Sequence, residues 1–212
     1  MVEGPVLIAE VASAGWEVEA EFVAPDAAPV TDGPVHRLAD GVMERVASTE
    51  TPQGSIAVVR MPASAVDFGV AAFVLVLDRV ADPGNLGTLL RSAEAAGVEI
   101  VALTPGTVDP FNPKVVRASA GALFHVPVAE ATLADVRDAG LRLVGTSSHR
   151  GTPSDRADWS GRVAVVLGNE AHGLPDDAPL DTWVTIEHHG RAESLNVATA
   201  GTVVLFDAAR AR

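Results

Sequence analysis

Three short stretches of this chain mix glycine with amide, hydroxyl, carboxylate or guanidinium groups: Asn85-Leu86-Gly87-Thr88-Leu89-Leu90-Arg91, Leu167-Gly168-Asn169-Glu170-Ala171-His172-Gly173-Leu174, and Glu193-Ser194-Leu195-Asn196-Val197-Ala198 running on to Gly201. Each comes after a run of strand-like residues. Polar loops between a strand and a helix N-terminus bind small anionic or polar groups, and loops at the carboxyl ends of parallel strands can converge on one crevice. The expected chemistry is therefore capture of a polar small molecule. Arg91, two helical turns in, adds a cation on the face that carries Asn85 and Gly87. Glycines 168, 173, 190 and 201 are expected where backbone passes close to backbone or to ligand and a Cβ would intrude.

Other chemistries fit less well. His172, His188 and His189 lack the His-Glu-x-x-His spacing of a zinc site and read as surface residues, so no metal is expected. Ser119 and His125 lie outside any nucleophile-elbow pattern, and the small residues around them suit helix packing. A dinucleotide-binding Rossmann loop fails because Gly84 and Gly87 lack the third glycine and the next strand does not end in an acid suited to a ribose. Taken singly, Asn85 and Ser194 read as helix N-caps, Arg91 as a solvated residue or a partner of Glu94 or Asp82, and Glu170 as the partner of a local arginine.

The elements that must hold these groups alternate from residue 71 onward. Strand patterns FVLVLD, VEIVAL, HVPV, LRLVGT, VAVVLG and WVTIEH are interleaved with helices over 85–96, 113–121, 132–139 and 194–210. Asp82, Pro83, Gly84, Asn85 and Gly87 read as a tight turn before the first of these helices. Continuous apolar strands between amphipathic helices predict a mostly parallel sheet with helices on both faces. Upstream, residues 1–61 read as a small α/β domain, with a helix and strand, a second strand and helix, and the closing strand SIAVVRMP. Residues 62–70 read as a linker, and 71–212 as the main domain. The chain opens in what reads as the end of a strand, so upstream residues of a longer parent are expected to be missing.

Composition excludes several function classes. The 212 residues are 48% hydrophobic and 20% charged, enough for real cores, and the formal charge of −13 argues against nonspecific coating of nucleic acid. Only one lysine stands among the 15 basic residues. The longest apolar run, VAAFVLVL, is too short to cross a bilayer, and the N-terminus lacks the basic start and apolar stretch of a signal peptide. With no cysteine, nothing requires an oxidising compartment. A cytoplasmic protein without membrane contact is expected.

In this order and with these gaps, Asn85-x-Gly87-x-x-x-Arg91, Leu167-Gly168-Asn169-Glu170-x-x-Gly173-Leu174 and Ser194-Leu195-Asn196-Val197-Ala198 resemble the three motifs of the SpoU, or TrmH, family of RNA ribose 2′-O-methyltransferases. The resemblance spans 71–212. Residues 1–61 are similar to the small RNA substrate-binding domain that many members carry in front. The resemblance implies a C-terminal trefoil knot, which no periodicity argument reaches. It also implies a homodimer, S-adenosyl-L-methionine as cofactor, and methyl transfer to a ribose 2′-hydroxyl of rRNA or tRNA. Thr146, Leu167, Gly168, Asn169, Gly173, Ile186, Leu195 and Asn196 fall where relatives hold the methyl donor. Arg91 would act on the ribose hydroxyl as base or as stabiliser of the alkoxide, the latter fitting a guanidinium that stays protonated. Asn85 would position Arg91 or RNA, Glu170 would organise the loop or the donor, and Ser194 with Asn196 would fix the helix start and the acceptor ribose. RNA would meet Arg91, Lys114, Arg117, Arg150 and Arg191. One departure stands out: relatives commonly have an apolar pair after the isoleucine, whereas here Ile186 is followed by Glu187, His188, His189 and Gly190. The alternative is an RNA-binding or regulatory relative that has lost turnover.

Overall fold

The computed structural model describes residues 1–62 and 66–212. The middle of the expected 62–70 linker, residues 63–65, lies outside the described residues. The chain divides into two compact units, Met1–Ser64 and Ala65–Arg212.

In the first unit, strands β1 (Val2–Glu3), β2 (Val18–Val23), β3 (Val35–Arg37) and β4 (Ser55–Val59) form a sheet in the order β1-β4-β2-β3, with helices α1 (Pro5–Ser13) and α2 (Met43–Val46). α1 buries Ile8 and Val11, one turn apart on one helix face. The fully buried Glu21 is satisfied by the backbone N–H groups of Val30 and Thr31, at 2.9 Å each, and by the Thr31 hydroxyl. One carboxylate thus closes the loop between β2 and β3.

The second unit is built on seven strands: β5 (Phe73–Leu77), β6 (Ile100–Leu103), β7 (Val128–Glu130), β8 (Arg142–Thr146), β9 (Thr152–Pro153), β10 (Val163–Leu167) and β11 (Thr182–Thr185). They run in the order β7-β6-β5-β10-β8-β11-β9, and every pairing is parallel. β5 and β10 are buried at every residue, as central strands covered on both faces must be. Alternate residues serve opposite faces. Val74, Val76, Ala164 and Val166 pack with Val136 of α5 (Leu133–Asp138) and with Leu141 and Leu143. The other face meets α3 (Pro83–Ala95) and α6 (Val197–Ala211), where Leu89 and Leu167 close on Gly201.

Several boundaries differ from the sequence expectation, each for a local reason. The expected turn at 82–87 is already helix: Asp82 is the N-cap, its carboxylate accepting from Asn85 N–H at 2.8 Å, and Pro83 occupies the first turn. α4 (Pro113–Ala118) stops before 121 because Ala120 and Gly121 take positive φ, 48° and 97°. α6 starts at Val197 with Asn196 as its cap, so Ser194 lies outside the helix and neither it nor Asn85 is an N-cap.

Close packing also fixes Gly87. A Cβ there would run into the Cβ of Ala118 and sit 2.8 Å from the Ala118 carbonyl carbon and 2.9 Å from Ser119 N, backbone that cannot step aside. Glycine to alanine inside a helix normally gains about 1 kcal/mol. Here Gly87→Ala is expected to cost a net 1–2 kcal/mol or so through overpacking between α3 and α4, read as a lower urea midpoint at unchanged slope.

Candidate active site

The carboxyl ends of four strands line up at one edge of the sheet, since Leu167 is in register with Leu77, Val166 with Gly145 and Val184 with Thr146. The loops that leave these strands are therefore delivered to the same place. A pocket of about 410 Å³ opens there, lined by Thr146, Leu167, Gly168, Asn169, Gly173, Ile186 and Leu195, with Glu170 and Ser194. Seven of the eight residues expected to hold a donor are thus brought together. The eighth, Asn196, is outside the lining, engaged at the start of α6.

The second motif folds back on itself. Asn169 Oδ1 accepts from the N–H groups of Ala171 and His172 at 3.0 and 3.2 Å, Gly173 N–H donates to Asn169 O at 2.8 Å, and Gly173 takes φ 62°. A Cβ on Gly168 would lie 2.5 Å from Leu174 N and 2.6 Å from Gly173 O. Gly168 is therefore demanded by the loop's own backbone. At Gly173 and Gly190 the expected close approach is missing, because nothing among the described residues lies within 4 Å of either Cβ position; Gly173 is required by its positive φ instead.

Glu170 then ties the loop to α3. Its carboxylate accepts from Ala81 N–H at 3.1 Å, Asp82 N–H at 3.0 Å and Asn85 Nδ2 at 3.0 Å. Asn85 Oδ1 in turn accepts from Asn196 Nδ2 at 2.9 Å, and Asn196 Oδ1 caps α6 by accepting from Ala198 and Thr199 N–H. Each amide orientation is dictated by the next partner. Burial pushes the Glu170 carboxyl up, but the Asn85 amide, followed by the Asp82 and Ala81 N–H groups, outweighs it and holds the group below its ordinary value.

The expected cations are not gathered at the pocket. Of the five, only Arg150 lines it, and that guanidinium is engaged, stacked 3.8 Å over Trp183 and paired with Asp176 at 3.0 Å. Arg91 is exposed on α3 and forms neither of the pairs with Glu94 or Asp82 that its spacing suggests. Lys114 and Arg117 belong to α4, and Arg191 to the segment before α6. Glu187 turns away from the pocket, paired with Arg156 at 3.5 Å. Among the described residues no group of side chains could hold a metal ion, and no helix is long and apolar enough to cross a membrane.

Two supports were not read from the sequence. Arg79 takes φ 56°, and its carbonyl accepts from Asn169 Nδ2 at 2.9 Å, while Asp78 holds Arg79 and Thr104 at 2.9 and 2.8 Å. Nothing in the sequence marks an arginine for positive φ. The Asp82 cap, in contrast, carries a legible signal in Asp-Pro at a helix start.

Comparison with known proteins agrees with the geometry. The SpoU rRNA Methylase family matches residues 72–206. The 23S rRNA (guanosine(2553)-2′-O)-methyltransferase RlmP of Bacillus subtilis (strain 168) is 37% identical over 179 residues, covering 81% of this chain and 71% of that protein. The 23S rRNA (uridine(2479)-2′-O)-methyltransferase of Streptomyces viridochromogenes is 35% identical over 188 residues, 82% of this chain and 66% of that one. The crystal structure of an AdoMet-bound rRNA methyltransferase from Sinorhizobium meliloti superposes with a TM-score of 0.86 at 31% identity, covering 99% of this chain and 86% of that chain. The chain thus spans about two thirds of the curated relatives.

The carboxylate at 170 yields a signed prediction. Glu170→Gln replaces a carboxylate that accepts from Ala81, Asp82, Asn85 and, more distantly, Asn169 with a group that is half donor, and should cost about 1 kcal/mol at neutral pH given the exposure of the site. Because the folded-state pKa is lowered, the advantage of the wild type is complete above the ordinary value of 4.5 and disappears as pH falls through the lowered one. Urea midpoints of the two proteins should converge in acid; a gap that persists there would disprove the assignment.

Proposed function

The chain belongs to the SpoU rRNA methylase family, and from that premise we propose that it transfers the methyl group of S-adenosylmethionine to a ribose 2′-hydroxyl of RNA. The observation that carries this reading is the single polar chain Glu170–Asn85–Asn196, which binds all three motifs together beside one pocket. That pocket suits the donor. Its volume falls in the range of about 300–1,000 Å³ usual for small-molecule sites. Ile186, Leu195 and Val197 offer apolar surface for a base, while Ser147, Asn169 and Ser194 offer polar groups.

S-adenosylmethionine, when bound, supplies a methyl group on a positively charged sulfur. The chain's residues have two tasks. Backbone and apolar groups of 167–168, 186 and 195 hold the donor in one pose, and such alignment for an in-line displacement can be worth up to about 7–11 kcal/mol. Arg91 steadies negative charge as it develops on the acceptor oxygen, the role open to a guanidinium that stays charged. Asn85 fixes the start of the helix on which Arg91 stands.

Arg91 does not line the pocket of its own chain, and this supports a homodimer in which Arg91 of one protomer meets the donor held by its partner. The exposed Val203 on α6 is suited to such an interface. A trefoil knot within residues 142–212 belongs to the same proposal. It is supported by the sheet order, in which β10 and β11 flank β8 on opposite sides, so the chain from one to the other passes the end of β8. RNA would be met by Arg91 with Lys114 and Arg117, carried on two helices that pack together, and selected by residues 1–61. 23S rRNA, the substrate named for the relatives, is the first to test, and a cytoplasmic site of action accords with it.

Calorimetry should show S-adenosylmethionine binding without added metal, and methyl incorporation into 23S rRNA should map to a ribose. No binding by folded protein would reject the reading. For the shared site, Arg91→Ala and Gly168→Val proteins should each be inactive, yet after subunit exchange recover roughly a quarter of wild-type activity, since half the dimers then contain one intact site of two. No recovery despite exchange would return Arg91 to its own chain's donor.

A further inference from the structure

Two buried polar side-chain atoms lack a hydrogen-bond partner among the described residues: Ser55 Oγ, in β4 of the first unit, and His188 Nε2. Only His188 lines the pocket. A buried nitrogen left unpaired is destabilising, and buried polar groups of native proteins are in the great majority paired. The segment after β11 aims this side chain inward. Ile186 and His188 both line the pocket, whereas Glu187 between them is exposed and pairs with Arg156 at 3.5 Å.

We propose that His188 is a donor-binding residue whose Nε2 hydrogen-bonds the edge of the donor's purine. The inference rests on the pocket being the methyl-donor site and assigns it a contact the three motifs do not contain. The purine is favoured over the amino-acid end by the surroundings. A flat, uncharged base suits the apolar groups of Ile186, two residues before His188, and of Leu195 and Val197 in the same lining, whereas the charged amino-acid end calls for charged or solvated partners, and Glu170 and Arg150 of the lining are already committed to other protein groups. A purine edge offers both ring-nitrogen acceptors and an exocyclic amine, and a neutral imidazole nitrogen serves as either partner according to its tautomer.

The test compares His188→Phe, which keeps a ring of similar size and removes the nitrogens, with His188→Gln, whose amide reaches about as far as Nε2. Affinities are measured by calorimetry for S-adenosylhomocysteine and for 5′-methylthioadenosine, which has the purine and ribose but no amino-acid end. His188→Phe should bind both ligands about 5- to 15-fold more weakly, and His188→Gln should recover most of that loss. Without ligand, His188→Phe should unfold at the same temperature as the wild type or higher, because it no longer buries an unpaired nitrogen. Equal affinities of the Phe variant and wild type overturn the proposal, as does a Gln variant no better than Phe. A loss seen with S-adenosylhomocysteine but not with 5′-methylthioadenosine also overturns it, by moving the contact off the purine. If His188→Phe does not fold, His188→Leu against His188→Gln makes the same comparison. Wild-type protein that binds neither ligand would instead reject the donor pocket itself.

Discussion

The side-chain amide of Asn85 is where three distant parts of the chain meet. Its nitrogen donates to Glu170 and its oxygen accepts from Asn196, whose own oxygen is committed to the first N–H groups of α6. Direction is therefore enforced along the whole line. An aspartate at 85 would set a second carboxylate against Glu170, and an alanine would leave both neighbours without a partner. Glu170 in turn accepts from the N–H groups just before α3, so the loop after β10 and the starts of α3 and α6 are held at fixed separations. Such a network is strong because every member is satisfied; its cooperativity would work equally against it if one were lost.

The pocket depends on that fixation and on the parallel sheet beneath it. Parallel register brings the ends of β5, β10, β8 and β11 to one edge, and the loops leaving that edge supply the walls. The 168–173 loop is compact because Gly168 admits the backbone of Gly173 and Leu174, and because Gly173 turns at positive φ. Arg150 has a structural rather than a free electrostatic place in the wall, stacked on Trp183 and paired with Asp176. Against a formal charge of −13, Arg91, Lys114 and Arg117 stand on α3 and α4, two helices that pack together.

The alternation of apolar strands and amphipathic helices was legible in the sequence because burial on both faces demands unbroken apolar runs, as in β5 and β10. The three motifs were legible because glycine, amide and acid recur at strand ends, and most of the residues expected to hold a donor do line one pocket. α4 starts at Pro113 as its pattern predicts, whereas α3 starts two residues before and α6 three residues after the positions that the sequence pattern predicts. Asp82 with Pro83 signals a cap followed by a first turn, but the glycines at 84 and 87 mask it; Gly87 is there for the approach of Ala118, a contact made through space.

What the sequence by itself determined is what short-range chemistry dictates: the class of fold, the strand and helix order, and which residue types stand at strand ends. Only the tertiary structure decided the partners. That Asn85 joins Glu170 to Asn196, that Arg79 takes positive φ so its carbonyl meets Asn169, that Glu187 turns out toward Arg156 and that His188 turns in with a buried nitrogen unpaired among the described residues are all consequences of residues far apart in the chain being brought together. A hydrogen bond is satisfied within about 3 Å. Separation along the chain carries no information on that scale until the sheet and its crossovers have closed.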